Sequence, residues 1–405
     1  MSKPFLDALD DSDVALCELI AQRIANSPQQ RLTFAEYMEL ALYEPQHGYY
    51  AVNRADIGVT GDFLTSPHLS ADFGELLAEQ FVDIWQNLGK PQPFTLVEMG
   101  AGQGILTGDL LRYANRNHPD FFASLNYIII EKAAGLIAEQ QQRLNAFVQQ
   151  WGRLRWCNLE DLAPASITGC FFSNELVDAL PVHQVVLNQG QLQEVYVTLA
   201  AEGKGFQEVL GEPSTSRLGQ YFGMIGIDLN SEQYIDGYRT EVNLAALDWL
   251  SAVAERLQRG YLVTIDYGYD ARHYYSPRRS TGTLLCYYRH TANDNPYQHV
   301  GCQDLTAHAN FTALERYGER CDLELVGLTQ QGFFLTALGL CDRLNALHNL
   351  SPKTNQELQE QLQRRQSLQL LVNPNGLGNF GVLVQSKGLT AAENGRSLRG
   401  LSVPL

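Results

Sequence analysis

The chain's 405 residues exceed the usual size of one domain, and 45% hydrophobic against 18% charged residues is the composition of a globular protein with a sizeable core. A formal charge of -16, from 45 acidic and 29 basic residues, argues against a general nucleic-acid or anionic-membrane binder, whose phosphates it would repel, and suits a cationic or peptide-like partner. The seven cysteines are widely spaced without C-x-x-C, so neither a disulfide framework nor a zinc site is expected. Reduced thiols, an acidic N-terminus with no apolar signal core, and no apolar run near the ~20 residues of a membrane span predict a soluble cytoplasmic protein without membrane insertion.

Residues 13–45 predict helices, with Thr33 and Glu36 spaced as a capping box. "YEPQHGYY" follows as an aromatic turn. The next stretch, "GVTGDFLTSPHLSADFGE" (58–75), fits neither the strand nor the helix period until after Ser70. From there a helix, capped near Ser70, runs to Gly89 and Pro91. Then short apolar runs alternate with helices: "FTLVEMG" (94–100), "LNYIIIEK" (125–132), "LRWCNLE" (154–160), "GCFFSNELVDALP" (169–181) and "GYLVTIDYG" (260–268). Such alternation predicts an α/β, Rossmann-like sheet, mostly parallel with helices on both faces. Residues 183–210 instead alternate apolar and polar around Gly-containing turns, which predicts antiparallel hairpins. "LELVGLTQ" and "NFGVLVQSK" supply two closing strands. The expected organisation is an N-terminal helical region (1–90) carrying a loop at 58–70, a cofactor-binding core (91–182), an inserted β/α region (183–255), and completion of the sheet with C-terminal helices (256–405).

The strongest chemical signal is "LVEMGAGQGIL". An apolar strand ends in Glu98, and Gly100, Gly102 and Gly104 follow at every second position before a helix. Glycines there let the backbone turn sharply and approach a ligand. The dinucleotide fingerprint fails, because its third glycine would be Ile105. An acid two residues before the turn suits a positively charged cofactor without pyrophosphate. S-adenosylmethionine is such a molecule: Glu98 can neutralise its amino group and the helix N-terminus can receive its carboxylate. The alternative is a tight strand-to-helix connection.

Glu131 ends the second strand, where an acid accepts from ribose hydroxyls. Asn158 and Leu159 follow the third, where an adenine would lie. Asn174, Glu175 and Asp178 follow the fourth, at the carboxyl edge of the sheet. Methyl transfer from a sulfonium requires a nucleophile held in line and a group to take its proton. An arginine nucleophile would be oriented by carboxylates, which makes Glu175 and Asp178 candidates; Asn174 and Asp178 capping a following helix is the alternative. Asp266 and Tyr267 either face the site or end the fifth strand. His290, His299, Cys302, Asp304 and His308 match no metal spacing, so no metal is expected, and Asp304 with Thr306 is expected to cap a helix.

The segments "GDFLTSPHLSADFGE", "LVEMGAGQG", "FFSNELVDALPVH", "TIDYGY", "GTLLCYYRHTANDNPYQHVGCQDLTAHANFTAL" and "LTQQGFFL" occur in that order. Together they resemble the MidA family of class I methyltransferases, whose mitochondrial members are complex I assembly factors that dimethylate arginine on a subunit of that complex. The resemblance runs from about Thr33 to about Val384. It implies a protein arginine methyltransferase using S-adenosylmethionine, with S-adenosylhomocysteine as product and a respiratory-complex subunit as a substrate of the family's type. It also implies that the Gly61–Ser66 segment belongs to the active site beside the glycine turn, with Gly61, Phe63, Thr65 and Ser66 toward the cofactor and Asp62 and His68 able to grip a cationic substrate or take its proton. The chain departs from the family pattern at Ala101 and Gln103, where Pro and Arg are usual, and at Leu176 and Val177, where aromatics are usual. Other arginine methyltransferases carry two glutamates in a loop; here only Glu175 is clear. A small-molecule methyltransferase and a non-catalytic assembly factor that retains the cofactor are the competing expectations. Oligomeric state is left open, with a homodimer one option.

Overall fold

The computed structural model describes residues 11–51, 65–201, 205–289 and 291–402. Two helices come first, α1 (Val14–Asn26) and α2 (Phe34–Tyr43). The capping box at the start of α2 forms: the Glu36 amide donates to Thr33 Oγ1 at 3.1 Å and the Thr33 amide to Glu36 Oε2 at 2.7 Å. Next come α3 (Asp72–Asn87), α4 (Ile105–Asn117), α5 (Ala134–Arg143), α6 (Leu244–Arg256), α7 (Phe311–Arg320) and α8 (Asn355–Leu371), with short helices between some of them.

Seven strands build the main sheet: β1 (Phe94–Met99), β2 (Leu125–Ile130), β3 (Leu154–Cys157), β4 (Ile167–Asn174), β5 (Leu257–Asp266), β6 (Glu324–Gln330) and β7 (Gly381–Lys387). Their order is β6-β7-β5-β4-β1-β2-β3. β1 to β5 pair in parallel, and β7 is antiparallel to both its neighbours. The α/β expectation is met. Both faces are covered, which explains the near-continuous apolar runs. The two-residue period sorts β1 between two cores: Phe94 and Leu96 pack with α3 and α4, Val97 and Met99 with α6 and α7. Chain order reverses between β1 and β4, so a crevice opens beyond Met99 and Asn174.

The predicted hairpins are present, with His183–Asn188, Gln191–Leu199 and Phe206–Gly211 in an antiparallel sheet that Arg239–Val242 extends. Leu32–Thr33 pairs with Gln191–Leu199 as well, a strand too short for any period to reveal. A further core joins α1 and α2 to Val197, Phe206, Cys286 and Leu305.

Two local expectations are corrected. Asp304–Thr306 is a strand paired with Leu285–Tyr288, and α7 is capped by Asn310, whose Oδ1 accepts from the Ala313 amide at 3.1 Å. No helix follows β4, so Asn174 and Asp178 cap nothing; residues 175–180 form turns. Among the described residues no helix is long and apolar enough to cross a membrane, and no cluster of His, Cys, Asp or Glu is arranged to hold a metal.

Candidate active site

The site begins where β1 stops. Gly100, Gly102 and Gly104 have φ of 70°, 52° and 75°, a conformation that costs an L side chain about 1–2 kcal/mol. A Cβ on Gly100 would meet Leu176 Cδ1 at 2.9 Å, whereas one on Gly102 meets nothing within 4 Å among the described residues. Gly102 therefore faces open space, in a cleft of about 810 Å³ continuous with solvent and lined by the glycine turn, Glu98, Glu131, Asn174 and Glu175 among others.

Glu98 shares the Leu96 face of β1 and is 2% exposed. Its Oε2 accepts from the Tyr127 hydroxyl at 2.5 Å and from the Thr107 hydroxyl, while Oε1 takes no hydrogen bond among the described residues. Burial pushes its carboxyl up to about 7 against those two donors. Such a group is neutral-leaning until a cation reaches it. Glu131 accepts from the Lys132 and Ala133 amides at 2.9 and 3.1 Å, and burial outweighs them to raise its pKa. Gln140 went unnoticed in the sequence. Fully buried, it donates to the Gly102 carbonyl at 2.7 Å and to Glu131 Oε2 at 3.3 Å, and accepts from Trp156 Nε1 at 2.8 Å. One amide thus ties the glycine turn to the acid of the second strand. A glutamine on an exposed-looking helix gave no signal of this.

The described end of the aperiodic stretch lies against the turn. His68 Nε2 is 3.0 Å from Gln103 Oε1 and its Nδ1 is 2.6 Å from Thr65 Oγ1, and one neutral tautomer satisfies both. Ser66 is buried and accepts from Gln331 Nε2 at 3.2 Å. Asp72, at the start of α3, is ion-paired with Arg364 and Arg343, each at 2.7 Å, and the Ser367 hydroxyl donates to the Leu69 carbonyl at 2.9 Å, so α8 anchors this segment. Gly61, Asp62 and Phe63 lie outside the described residues.

The other end of the cleft is acidic. Glu175 follows β4 with φ of 54°, a left-handed conformation unusual for a residue with a side chain. Its Oε1 accepts from Asn174 Nδ2 at 3.0 Å. Burial first, then Asp178, pushes the Glu175 carboxyl up to about 8; burial with Asp266 and Asp304 raises Asp178 too. Glu175, Asp178 and Asp266 enter no ion pair with a basic side chain among the described residues. Tyr43 and Tyr50 stack with centroids 5.4 Å apart on the same side of the cleft, and the Tyr50 hydroxyl donates to Asp304 Oδ1 at 2.8 Å. The buried Oδ1 atoms of Asn174 and Asp178 have no hydrogen-bond partner among the described residues.

Asn158 and Leu159 are not brought to the cleft. β3 is only four residues long, and the chain turns at once into a short helix. Asn158 is exposed, its amide donating to Asp161 at 2.9 Å, and the Leu159 carbonyl accepts from Arg256 Nε at 2.6 Å.

Set beside known proteins, residues 76–329 match a family model described as "Putative S-adenosyl-L-methionine-dependent methyltransferase". The chain belongs to this methyltransferase family. The methyltransferase is 29% identical over 399 residues to the Drosophila melanogaster protein named "Protein arginine methyltransferase NDUFAF7 homolog, mitochondrial", covering 93% of this chain and 85% of that one. The human "Protein arginine methyltransferase NDUFAF7, mitochondrial" is 26% identical over 404 residues, covering 91% and 83%. A Burkholderia thailandensis crystal structure bound to S-adenosyl-homocysteine is 30% identical, with a TM-score of 0.82 over 99% of this chain and 97% of that chain.

The methyltransferase uses S-adenosylmethionine, and the residues present fit it. Glu98 Oε1 is free for an ammonium group, Gly102 leaves room where a Cβ would intrude, Glu131 offers acceptors for hydroxyls, and the orphaned Asn174 Oδ1 calls for a donor.

Proposed function

We propose that this methyltransferase modifies the guanidinium of an arginine in a protein. The observation that carries this reading is the acidic end of the cleft, where Glu175 lines the wall with Tyr43 and Tyr50, and neither it nor the neighbouring Asp178 is ion-paired with a base among the described residues. Carboxylates match a planar guanidinium by paired hydrogen bonds, and aromatic faces attract cations. The names of the curated relatives support the same reading.

Bound S-adenosylmethionine supplies an electrophilic methyl carbon. Glu98, Glu131 and the glycine turn would fix it at one end, and Glu175 would hold the acceptor nitrogen in line at the other. As that nitrogen forms its bond to carbon and the methyl–sulfur bond breaks, it loses a proton, and Glu175, which lines the cleft, is placed to accept it, with Asp178 close by on the same turn. At neutral pH the raised Glu175 is largely protonated, so an arriving cation lowers its pKa and a proton leaves. A respiratory complex I subunit, the substrate of the family's type, is part of this proposal. So is the cytoplasmic setting, for which seven free cysteines speak.

Incubation of the purified protein with methyl-labelled cofactor and a cell lysate tests it. Label in protein bands that hydrolyses to methylarginine is expected. Label confined to small molecules would favour the small-molecule enzyme, and binding without any transfer the non-catalytic assembly factor.

A further inference from the structure

The candidate acceptor-side acid, Glu175, sits in an unfavourable backbone conformation on a segment with no regular structure. Something must hold it there. The Glu175 amide donates to the Ile265 carbonyl at 2.9 Å, and the next three amides converge on a single oxygen. Leu176, Val177 and Asp178 reach Asp266 Oδ2 at 3.2, 2.7 and 3.4 Å, while Asp266 Oδ1 takes the Tyr267 amide at 2.8 Å. Asp266 is fully buried at the last position of β5, beside β4 in the sheet. It does not line the cleft.

We propose that Asp266 is a positioning residue that turns the chain after β4 so that Glu175 points into the cleft. Four main-chain donors converge on this one side chain, the arrangement of an anion-binding turn with the anion built into the chain. The segment has other ties, from Asn243 Nδ2 to the Val177 carbonyl at 3.1 Å, from the Ala307 amide to the Asp178 carbonyl at 2.9 Å, and from the Tyr43 hydroxyl to the Ala179 carbonyl at 2.9 Å. Those hold carbonyls further along the segment. Among the described residues, only Asp266 gathers the amides that set the direction of the turn. The ionisable groups facing these carboxyls are Glu175 and Asp178 on the segment, Asp304 from its strand, Tyr43 and Tyr50 from the N-terminal region, and Tyr287. The role assigned to Glu175 rests on the reading of the protein as an arginine methyltransferase; the clamp itself does not.

The test is Asp266→Asn, which keeps the shape and one acceptor but removes the charge. Calorimetry with S-adenosylhomocysteine should give wild-type affinity, because Glu98 and the glycine turn are untouched. Turnover should fall about 100-fold, the cost of a misplacement near 1 Å. The acid limb of its pH profile should move to lower pH, since Asp178 and Glu175 lose a like-charged neighbour; a merely structural residue would leave that limb in place. A crystal structure of the variant with S-adenosylhomocysteine should show Glu175 displaced from Asn174 and the glycine turn unmoved. Wild-type turnover, or Glu175 seated as before, would overturn the proposal. Loss of S-adenosylhomocysteine binding would overturn it too, by making Asp266 a residue of the whole fold. Absence of methylarginine with the wild-type protein would sink the arginine reading alone, since the crystallographic result decides the clamp without it.

Discussion

The two ends of the cleft hold their acids in opposite ways. At the glycine turn, Glu98 and Glu131 are met by neutral donors from Thr107, Tyr127, Gln140 and two amides. At the far end, Glu175 and Asp178 stand near each other and near Asp266 and Asp304. The first end is a preformed socket for one fixed ligand. The second is a crowd of carboxyls that keeps Glu175 largely protonated until a cation arrives, which suits a substrate that must come and go.

Breaking the second end should have the largest effect. Glu175→Gln is expected to leave cofactor affinity within about twofold while lowering turnover by roughly 10²–10⁴, the range of a lost general base; single-turnover kinetics beside calorimetry separates the two. Equal losses in both would erase the distinction between the ends. Glu98→Ala strikes the first end. Loss of a charge-assisted bond worth about 1.5–3 kcal/mol should weaken S-adenosylmethionine binding roughly 10- to 100-fold, read by calorimetry.

A gentler test varies pH. The Glu98 carboxyl is raised from its ordinary 4.5 to about 7, so ammonium binding must release a proton, and affinity should rise severalfold from pH 6 to 8. The sign for stability is opposite. A carboxyl raised in the folded state contributes fully below its unfolded pKa, and that contribution is lost as pH climbs through the folded value. With Glu98 at about 7 and Glu175 at about 8, the melting temperature of the ligand-free protein should decline between pH 5 and 8, less so with S-adenosylmethionine bound. A flat profile would mean the burial of these groups is relieved in solution. The smallest effect is a control outside the cleft. Thr33→Ala removes a helix cap worth about 1 kcal/mol and should lower Tm by roughly 1–3 °C without changing either end.

How much of this was legible in the sequence differs along the chain. The sheet was, because strands buried on both faces must be apolar throughout and glycines at every second position announce a turn. Glu98 and Glu131 were, because strand ends fall where apolar runs stop. The strand at Leu32–Thr33 was not, since two residues carry no period. Gln140 and Asp266 were not recognised in their roles, because a side chain that bonds to distant main-chain atoms leaves no local pattern. Asp304 was misplaced for the reverse reason: its Asp-x-Thr spacing resembles a cap, and only the pairing with Leu285–Tyr288 makes it a strand. Asn158 and Leu159 depended on counting past β3, and a strand of four residues ended the count early.

The core that joins α1 and α2 to the antiparallel sheet has a consequence in time. Its members run from Leu16 to Tyr49 and then from Val182 to Ala307. A ribosome adding about 5–20 residues per second needs roughly 15–50 s between Tyr49 and Leu305. The first two helices must therefore wait, with Phe34 and Tyr37 uncovered, while the sheet that holds the cofactor socket is still being made. Protease sensitivity of stalled nascent chains, lost in the first helices only after residue 307 has emerged, would make that wait visible.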